Sequence, residues 1–152
     1  MFRTVLFVCV GNICRSPVAE GLLKKYSDQY NLRLNISSCG IHAMLGEAPH
    51  PYSIELAAEQ GIDISNYQAK QINLEIITKA ELVLALDDLI LRDVVTQFPF
   101  AIGKVKKLAF LQKNEDILDP YRKDRDAFVR MYQHIDKSIQ SCLTGLWKVA
   151  VL

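Results

Sequence analysis

The feature that most constrains the fold is an unbroken apolar run, residues 4–10 (TVLFVCV), which leads directly into a polar loop. So short and apolar a run predicts a strand buried on both faces, as in a parallel sheet. Ser16 and Pro17 then predict a helix start, with Ser16 as the N-cap and Pro17 at the first helical position. The chain is therefore expected to open with a strand, a short loop and a helix.

The rest of the chain alternates between strand and helix patterns. Further strands are predicted at residues 33–38, 81–86 and 105–110, and further helices at 54–58, 73–79, 90–98 and 124–142. This alternation predicts an α/β fold with a parallel sheet and helices on both faces. No linker or repeat divides the 152 residues, so one domain spanning 1–152 is expected. Ligands of such sheets bind beyond the carboxyl ends of the strands.

Charge, hydropathy and cysteine usage narrow the classes of function. The formal charge is only +1, which argues against nucleic acid as a partner. No apolar run approaches the roughly 20 residues of a membrane span, and the first residues lack a signal-peptide pattern, so we expect a cytoplasmic protein without membrane insertion. Without an export signal, the four cysteines are expected to be free thiols; they are Cys9, Cys14, Cys39 and Cys142. The chain has no CxxC pair and no paired histidine spacing, which predicts that it has no metal site.

The loop after the first strand reads CVGNICRSP over residues 9–17. It lacks the lysine of a nucleotide-binding GxxxxGK[ST] loop, and Gly11 is its only glycine, which excludes a GxGxxG motif. What remains is Cys9 and Arg15 bracketing five residues, whose N–H groups can surround one phosphate at a helix N-terminus. Gly11 and Asn12 are expected to supply the positive φ angles of so tight a coil. The predicted phosphate-binding residues are Val10, Gly11, Asn12, Ile13, Cys14 and Ser16.

These residue types predict nucleophilic attack on phosphorus. The surrounding donors and the helix dipole favour the thiolate form of Cys9, which makes it the predicted nucleophile. Arg15 carries a planar fork that can hold two phosphoryl oxygens. The hydroxyl of Ser16 is expected to donate to the sulfur and ease its departure.

A leaving alkoxide or phenoxide needs a proton, so a general acid is required. Asp119 is the best candidate, because the following Pro120 holds it in a loop and Tyr121 places an aromatic ring beside it. Glu115 and Asp116 are alternatives without the aromatic neighbour. Three basic residues come next: Arg122, Lys123 and Arg125. They are either the solvated start of a helix or a cluster that attracts an acidic peptide.

VCVGNICRSP and the later DPYRKD resemble the bacterial branch of the low molecular weight protein tyrosine phosphatases, and the resemblance spans the whole chain. It implies a four-stranded parallel sheet and a metal-free, cofactor-free phosphocysteine mechanism with Cys9, Arg15 and Asp119 as catalytic residues. It also implies a wall for the phosphotyrosine ring, made by Ile13, Met44 and Tyr121, and loop support from Asn12 and Ser38. Tyr67 stands where the family often has histidine.

The resemblance also implies partners and alternatives. The expected partner is a tyrosine-phosphorylated protein, such as a bacterial tyrosine autokinase. Cys14 is either a packing residue or a redox thiol that forms a reversible disulfide with Cys9. Arsenate reduction is disfavoured because its relay needs two additional cysteines, and none lies between Gly40 and Ser141. An inactive phosphotyrosine-binding module is the alternative from another class.

Overall fold

Four parallel strands form the centre of the computed structural model, which describes residues 2–150. In chain order they are β1 (Thr4–Cys9), β2 (Asn35–Gly40), β3 (Leu82–Ala85) and β4 (Val105–Lys107). The order across the sheet is β2-β1-β3-β4, and Val5 of β1 pairs with Ile36 on one side and with Leu82 on the other. This confirms the predicted four-stranded parallel sheet.

Five α-helices cover the two faces of the sheet. They are α1 (Arg15–Gln29), α2 (Pro51–Glu59), α3 (Leu74–Lys79), α4 (Asp88–Gln97) and α5 (Arg125–Leu146). The helix α1 packs against α2 and α5, whereas α4 packs against β3 and β4. All of β3, and β1 from Val5 onward, is buried, as the apolar sequences of these strands predict. Within residues 2–150, no helix combines the length and the apolar character that a membrane crossing requires.

The strand order determines where a ligand site can form. From β1 the chain passes to β2 on one side, and it later returns to β3 on the other side. At such a reversal the connections that leave the two central strands diverge, and a crevice opens beyond their carboxyl ends. The loop after Cys9 lies at this point.

Several predicted boundaries are wrong for physical reasons. The first strand ends at Cys9 rather than at residue 10. The helix α1 begins at Arg15 with Cys14 as its N-cap, so Ser16 is not the cap; its hydroxyl contacts other side chains instead. The strand β2 begins at Asn35, because Arg33 has a φ of 56°, outside the strand region. The strand β4 stops at Lys107, where a turn begins, and α5 continues to Leu146.

Candidate active site

The loop between β1 and α1 turns its backbone carbonyls outward. Five of them accept hydrogen bonds of 2.7 to 3.0 Å from the residues that follow β2. The pairs, with the accepting residue first, are Cys9 with Ile41, Val10 with His42, Gly11 with Met44, Ile13 with His50, and Cys14 with the hydroxyl of Ser53.

This outward bonding directs the N–H groups of the loop inward. In a trans peptide, the N–H points away from the carbonyl of the same unit, and residues 2–150 contain no cis peptide. The N–H groups of residues 10, 11, 12, 14 and 15 therefore face the interior of the loop. In the described chain, none of the N–H groups of residues 10–14 donates to a backbone carbonyl. The arrangement forms an anion nest at the N-terminus of α1.

The backbone of the loop confirms one conformational prediction and corrects another. Asn12 has a φ of 59°, the left-handed conformation that asparagine tolerates. Gly11 does not have a positive φ, so that prediction is wrong; a Cβ at Gly11 would lie 3.5 Å from Cγ of Met44, in ordinary contact. The steric requirement for glycine falls on Gly40 instead. A Cβ there would lie 2.4 Å from the carbonyl oxygen of Val10.

The side chain of Asn12 orients the hydroxyl of Ser16, which lies next to Cys9. Its Oδ1 accepts from the backbone N–H of Lys70 at 2.9 Å, which turns its Nδ2 toward Ser16 and Ser38, at 2.7 and 2.9 Å. Ser16 Oγ receives this hydrogen bond and lies 2.8 Å from Cys9 Sγ. Because Ser16 Oγ already accepts from Asn12, its own proton is available to the sulfur, as a thiolate requires.

Behind this network lies a charged pair. Ser38 donates to Oε1 of Glu20 at 2.6 Å, and Lys24 donates to Oε2 of the same carboxylate at 2.6 Å. Burial lowers the pKa of Lys24, but the hydrogen bond and the charge of Glu20 outweigh it, so the pKa is raised. The ammonium also lies 4.7 Å from the ring centroid of Tyr67. Tyr67 therefore contacts the network through Lys24.

Asn12→Asp is expected to lower kcat/KM by about one to two orders of magnitude, the size of a hydrogen bond to a charged group. A carboxylate at this position would accept the proton of Ser16 and place a negative charge near the sulfur. The measurement is kcat/KM for para-nitrophenyl phosphate, together with the pH dependence of Cys9 alkylation. Asn31→Asp is the matched control, because Asn31 is exposed and has a similar φ of 54°. Equal activity in the two variants would contradict the expectation.

Arg15 is held in place by two contacts to one nitrogen. Its side chain is buried, and Nη1 donates to Oδ2 of Asp87 at 2.8 Å and to the carbonyl of Ile117 at 2.7 Å. Asp87 is itself fixed, because its Oδ1 caps α4 at the N–H of Ile90. These contacts leave Nε and Nη2 of Arg15 as the donors for a ligand.

Asp119 stands at the mouth of the site. One oxygen of its carboxylate accepts from the N–H of Tyr121 at 3.1 Å, and the other lies 3.8 Å from Nη2 of Arg15. Its side chain is 42% exposed, so it can exchange protons with water. Asp116 differs, because a hydrogen bond from Lys107 holds the pKa of its carboxyl below the ordinary value. An acid that stays ionised is a poor proton donor.

One cavity brings the predicted residues together. It measures about 200 Å³ and is lined by Cys9, Val10, Gly11, Ile13, Cys14, Arg15, His42, Met44, Asp119 and Tyr121. Glu115 and Asp116, the alternative acids, do not line it. Three other predicted residues do not line it and are joined to one another by hydrogen bonds: Asn12, Ser16 and Ser38. Within residues 2–150, no group of three or more His, Cys, Asp or Glu is placed to hold a metal ion.

Cys14 shares this cavity but differs from a reactive thiol. Burial, reinforced by the charges of Asp119 and Cys9, raises its pKa to about 12 despite the nearby Arg15. At neutral pH Cys14 is therefore a thiol, which must lose its proton before it can attack an oxidised Cys9. Its redox role stays a prediction.

His50 links α2 to the loop and makes the stability of the fold depend on pH. Its N–H donates to Ile13, and its Nδ1 accepts from the N–H of Tyr52 at 3.1 Å, which caps α2. Burial lowers the pKa of His50 below its ordinary 6.5. The unfolded chain therefore binds this proton more readily, so the stability contributed by neutral His50 is present above about pH 6.5 and is lost as the pH falls.

We expect the urea midpoint of the wild type to fall between about pH 7.5 and about pH 5.5 by more than that of His50→Asn. Asparagine keeps a cap acceptor but does not titrate in this range. Comparing the two slopes separates His50 from the other titrating groups. Parallel slopes would show that His50 does not carry the effect.

Sequence reasoning missed the residues that act from a distance. Asp87 anchors Arg15 across 72 positions, and Glu20 reaches the loop through Ser38. His42 lines the catalytic cavity, although its isolated position in the sequence carries no signal. An Asp directly after the buried strand 81–86 was the one available signal for Asp87, because it lies at the carboxyl edge of the sheet.

Comparison with known proteins assigns the family. The sequence profile described as low molecular weight phosphotyrosine protein phosphatase matches residues 4–150. Low molecular weight protein-tyrosine-phosphatase Wzb of Escherichia coli strain K12 is 34% identical over 146 residues, 96% of this chain and 97% of that protein. Among solved structures, Vibrio vulnificus Wzb in complex with benzylphosphonate has a TM-score of 0.90 at 33% identity, covering 96% of this chain and 100% of that one. The YwlE arginine phosphatase from Geobacillus stearothermophilus has a TM-score of 0.88 at 27% identity, covering 96% and 94%. The chain therefore belongs to the low molecular weight protein tyrosine phosphatase family and is a phosphoric monoester hydrolase.

Proposed function

We propose that Cys9, Arg15 and Asp119 carry out the hydrolysis of phosphotyrosine in proteins through a phosphocysteine intermediate. The observation that carries this proposal is the outward bonding of five carbonyls in the loop, which turns the matching N–H groups toward one anion above Cys9. Those N–H groups and the free donors of Arg15 match the equatorial oxygens of a phosphoryl group in transfer.

In the first step Cys9 Sγ attacks phosphorus. The S–P bond forms as the bond between phosphorus and the phenolic oxygen breaks, and protonated Asp119 donates its proton to that oxygen. The side chain of Asp119 is 42% exposed, so it can exchange protons with water before the first turnover. Tyrosine leaves, and the phosphoryl group stays on Cys9.

In the second step Asp119, now a carboxylate, takes a proton from a water molecule whose oxygen attacks phosphorus. The S–P bond breaks, and inorganic phosphate and the Cys9 thiolate are released. Ser16 Oγ, 2.8 Å from the sulfur, supports the leaving thiolate by donating its hydrogen. One proton therefore leaves Asp119 in the first step and returns in the second.

The walls of the cavity favour an aromatic leaving group. Ile13, Met44 and Tyr121 present apolar surface around the path to Cys9, and Asp119 is the only carboxylate among the lining residues. A planar ring buries apolar area against such walls, whereas a guanidinium group would lose hydration with few acceptors to replace it. We therefore propose phosphotyrosine rather than phosphoarginine as the substrate.

Three peptides of one sequence test this proposal, carrying phosphotyrosine, phosphoserine or phosphoarginine at the same position. Each is assayed by phosphate release with a metal chelator present. We expect kcat/KM for the phosphotyrosine peptide to exceed the others by about a hundredfold. Faster release from phosphoarginine, or a requirement for added metal, would overturn it.

We also propose a cytoplasmic location and a tyrosine-phosphorylated protein as the partner. All four cysteines are free, and Cys9 must stay reduced to act as a nucleophile. The bacterial branch that the sequence resembles makes a tyrosine autokinase the first candidate for this partner. Immobilised Cys9→Ser should retain the phosphorylated kinase, and free phosphate should elute it. Failure to retain any tyrosine-phosphorylated protein would overturn the partner.

A further inference from the structure

A second groove adjoins the cavity of Cys9 at Asp119. It measures about 250 Å³, and Leu118, Asp119, Lys123, Arg130 and His134 contribute to its lining. Asp119 also lines the catalytic cavity. The two cavities are therefore separated by one loop, and a polypeptide bound in the first lies within reach of the second.

The cations of this groove continue along one face of α5. Arg130, His134 and Lys137 follow one another at spacings of four and three residues, which places them on the same side of the helix. A neighbouring cleft shares Arg130 and His134 and adds Lys137 and Lys113. The result is a basic band, formed by these four residues and Lys123, that begins at Asp119.

The Lys and Arg side chains of the band have no acidic partners in the part of the chain that the structure describes. Within residues 2–150, no ion pair involves Lys113, Lys123, Arg130 or Lys137. Elsewhere on the described surface some basic side chains are paired, whereas others, such as Lys25 and Arg33, are not. Those that form ion pairs are Lys24 with Glu20, Lys79 with Glu75, Arg92 with Asp88, Lys107 with Asp116, and Arg125 with Glu55 and Glu59.

Three acidic residues lie in or beside the band. Asp119 lines the groove, Glu115 lines the neighbouring cleft, and Asp126 precedes Arg130 by one turn of α5. Within residues 2–150, none of them forms an ion pair with the Lys and Arg side chains of the band. Arg125, in contrast, points to α2 through its two glutamates and does not contribute. Lys123 and Arg130 therefore line the groove beside Asp119 with their charges unpaired among the described residues.

We propose that this basic groove binds an anionic side chain, a carboxylate or a second phosphate, close to the phosphotyrosine in the same substrate protein. The inference rests on the proposed function, because it assumes that the phosphotyrosine ring occupies the catalytic cavity. The substrate backbone then crosses the loop at Leu118, whose 74% exposed side chain offers apolar surface at the crossing. Arg130 supplies the planar fork that suits carboxylate and phosphate oxygens.

Because the charges of the band are exposed, their effect on substrate binding should be small and should depend on salt. Ion pairs at exposed positions contribute little each and are screened by salt. They act on encounter and binding more than on the chemical step. The groove should therefore lower KM for acidic substrates, leave kcat nearly unchanged, and lose its effect as the ionic strength rises.

The test compares three phosphotyrosine peptides that differ only in flanking residues: glutamate, its uncharged isostere glutamine, or phosphoserine. At low salt we expect kcat/KM for the glutamate and phosphoserine peptides to exceed that for the glutamine peptide by about three- to tenfold, through KM. The double variant Lys123→Gln with Arg130→Gln should reduce this ratio to nearly one. Lys25→Gln with Arg33→Gln removes the same charges at exposed positions that line neither the groove nor the neighbouring cleft, and should preserve the ratio.

Turnover of para-nitrophenyl phosphate distinguishes a failure of the groove from a failure of the proposed function. This turnover should be the same in the wild type and both double variants, because para-nitrophenyl phosphate has no flanking residues. Absence of any turnover by the wild type would overturn the proposed function itself. Normal turnover with equal kcat/KM for all three peptides would overturn the groove alone. A gain for phosphoserine without a gain for glutamate would support the groove and identify its ligand as phosphate.

Discussion

Cys9→Ser is expected to lower kcat for para-nitrophenyl phosphate by about five orders of magnitude while leaving phosphate binding intact. A serine hydroxyl would be neutral at the floor of the cavity and would need a base to become a nucleophile. Asp119 stands at the mouth beside Arg15, where the proposed mechanism uses it for the leaving oxygen rather than at the floor. The N–H groups of the loop do not depend on the replaced side chain. Steady-state turnover and calorimetric titration with inorganic phosphate measure the two properties separately.

Cys142→Ser is the matched control for this variant. Cys142 is equally buried, and its sulfur lies 3.8 Å from the carbonyl oxygen of Leu108, to which a serine hydroxyl can also donate. The same exchange of sulfur for oxygen should therefore leave kcat unchanged. Appreciable turnover by Cys9→Ser, or a comparable loss in Cys142→Ser, would contradict a phosphocysteine on Cys9.

The accuracy of the fold prediction follows the polarity of each strand. The strands β1 and β3 are apolar throughout most of their length and buried on both faces, so their positions were predictable to within a residue or two. The strand β2 reads NISSCG, and its polar Ser38 is buried because it bonds to Asn12 and Glu20. Its start was misplaced because Arg33 has a φ of 56°, which the alternation of Leu34 and Ile36 with polar residues does not reveal.

The residues of the candidate site also differ in whether the sequence could predict them. Cys9 and Arg15 were predictable because the strand, the loop and the helix that hold them are contiguous in sequence. The outward hydrogen bonds of the loop were not, since their donors lie between Ile41 and Ser53 and depend on how the chain returns after β2. Asp119 was identified by its proline and tyrosine neighbours, and the catalytic cavity includes it together with Cys9.

Asp119→Asn is expected to lower kcat/KM for a phosphotyrosine peptide by about two to three orders of magnitude. Asparagine has nearly the same shape, and its oxygen can still accept from the N–H of Tyr121, so the loop should stay in place. What it lacks is the proton for the phenolic oxygen, which must then leave as an anion. For para-nitrophenyl phosphate, whose leaving group is a much stronger acid, the loss should be at least tenfold smaller.

The ratio kcat/KM is the informative quantity, because it covers steps up to the release of the first product and excludes hydrolysis of the phosphocysteine. Asp116→Asn is the matched control: its carboxylate pairs with Lys107 outside the catalytic cavity, so it should not change the dependence on the leaving group. An equal loss of kcat/KM for both substrates in Asp119→Asn would mean that Asp119 does not protonate the leaving oxygen. If Asp116→Asn alone showed the dependence, the general acid would be Asp116, and the loop around Asp119 would serve binding only.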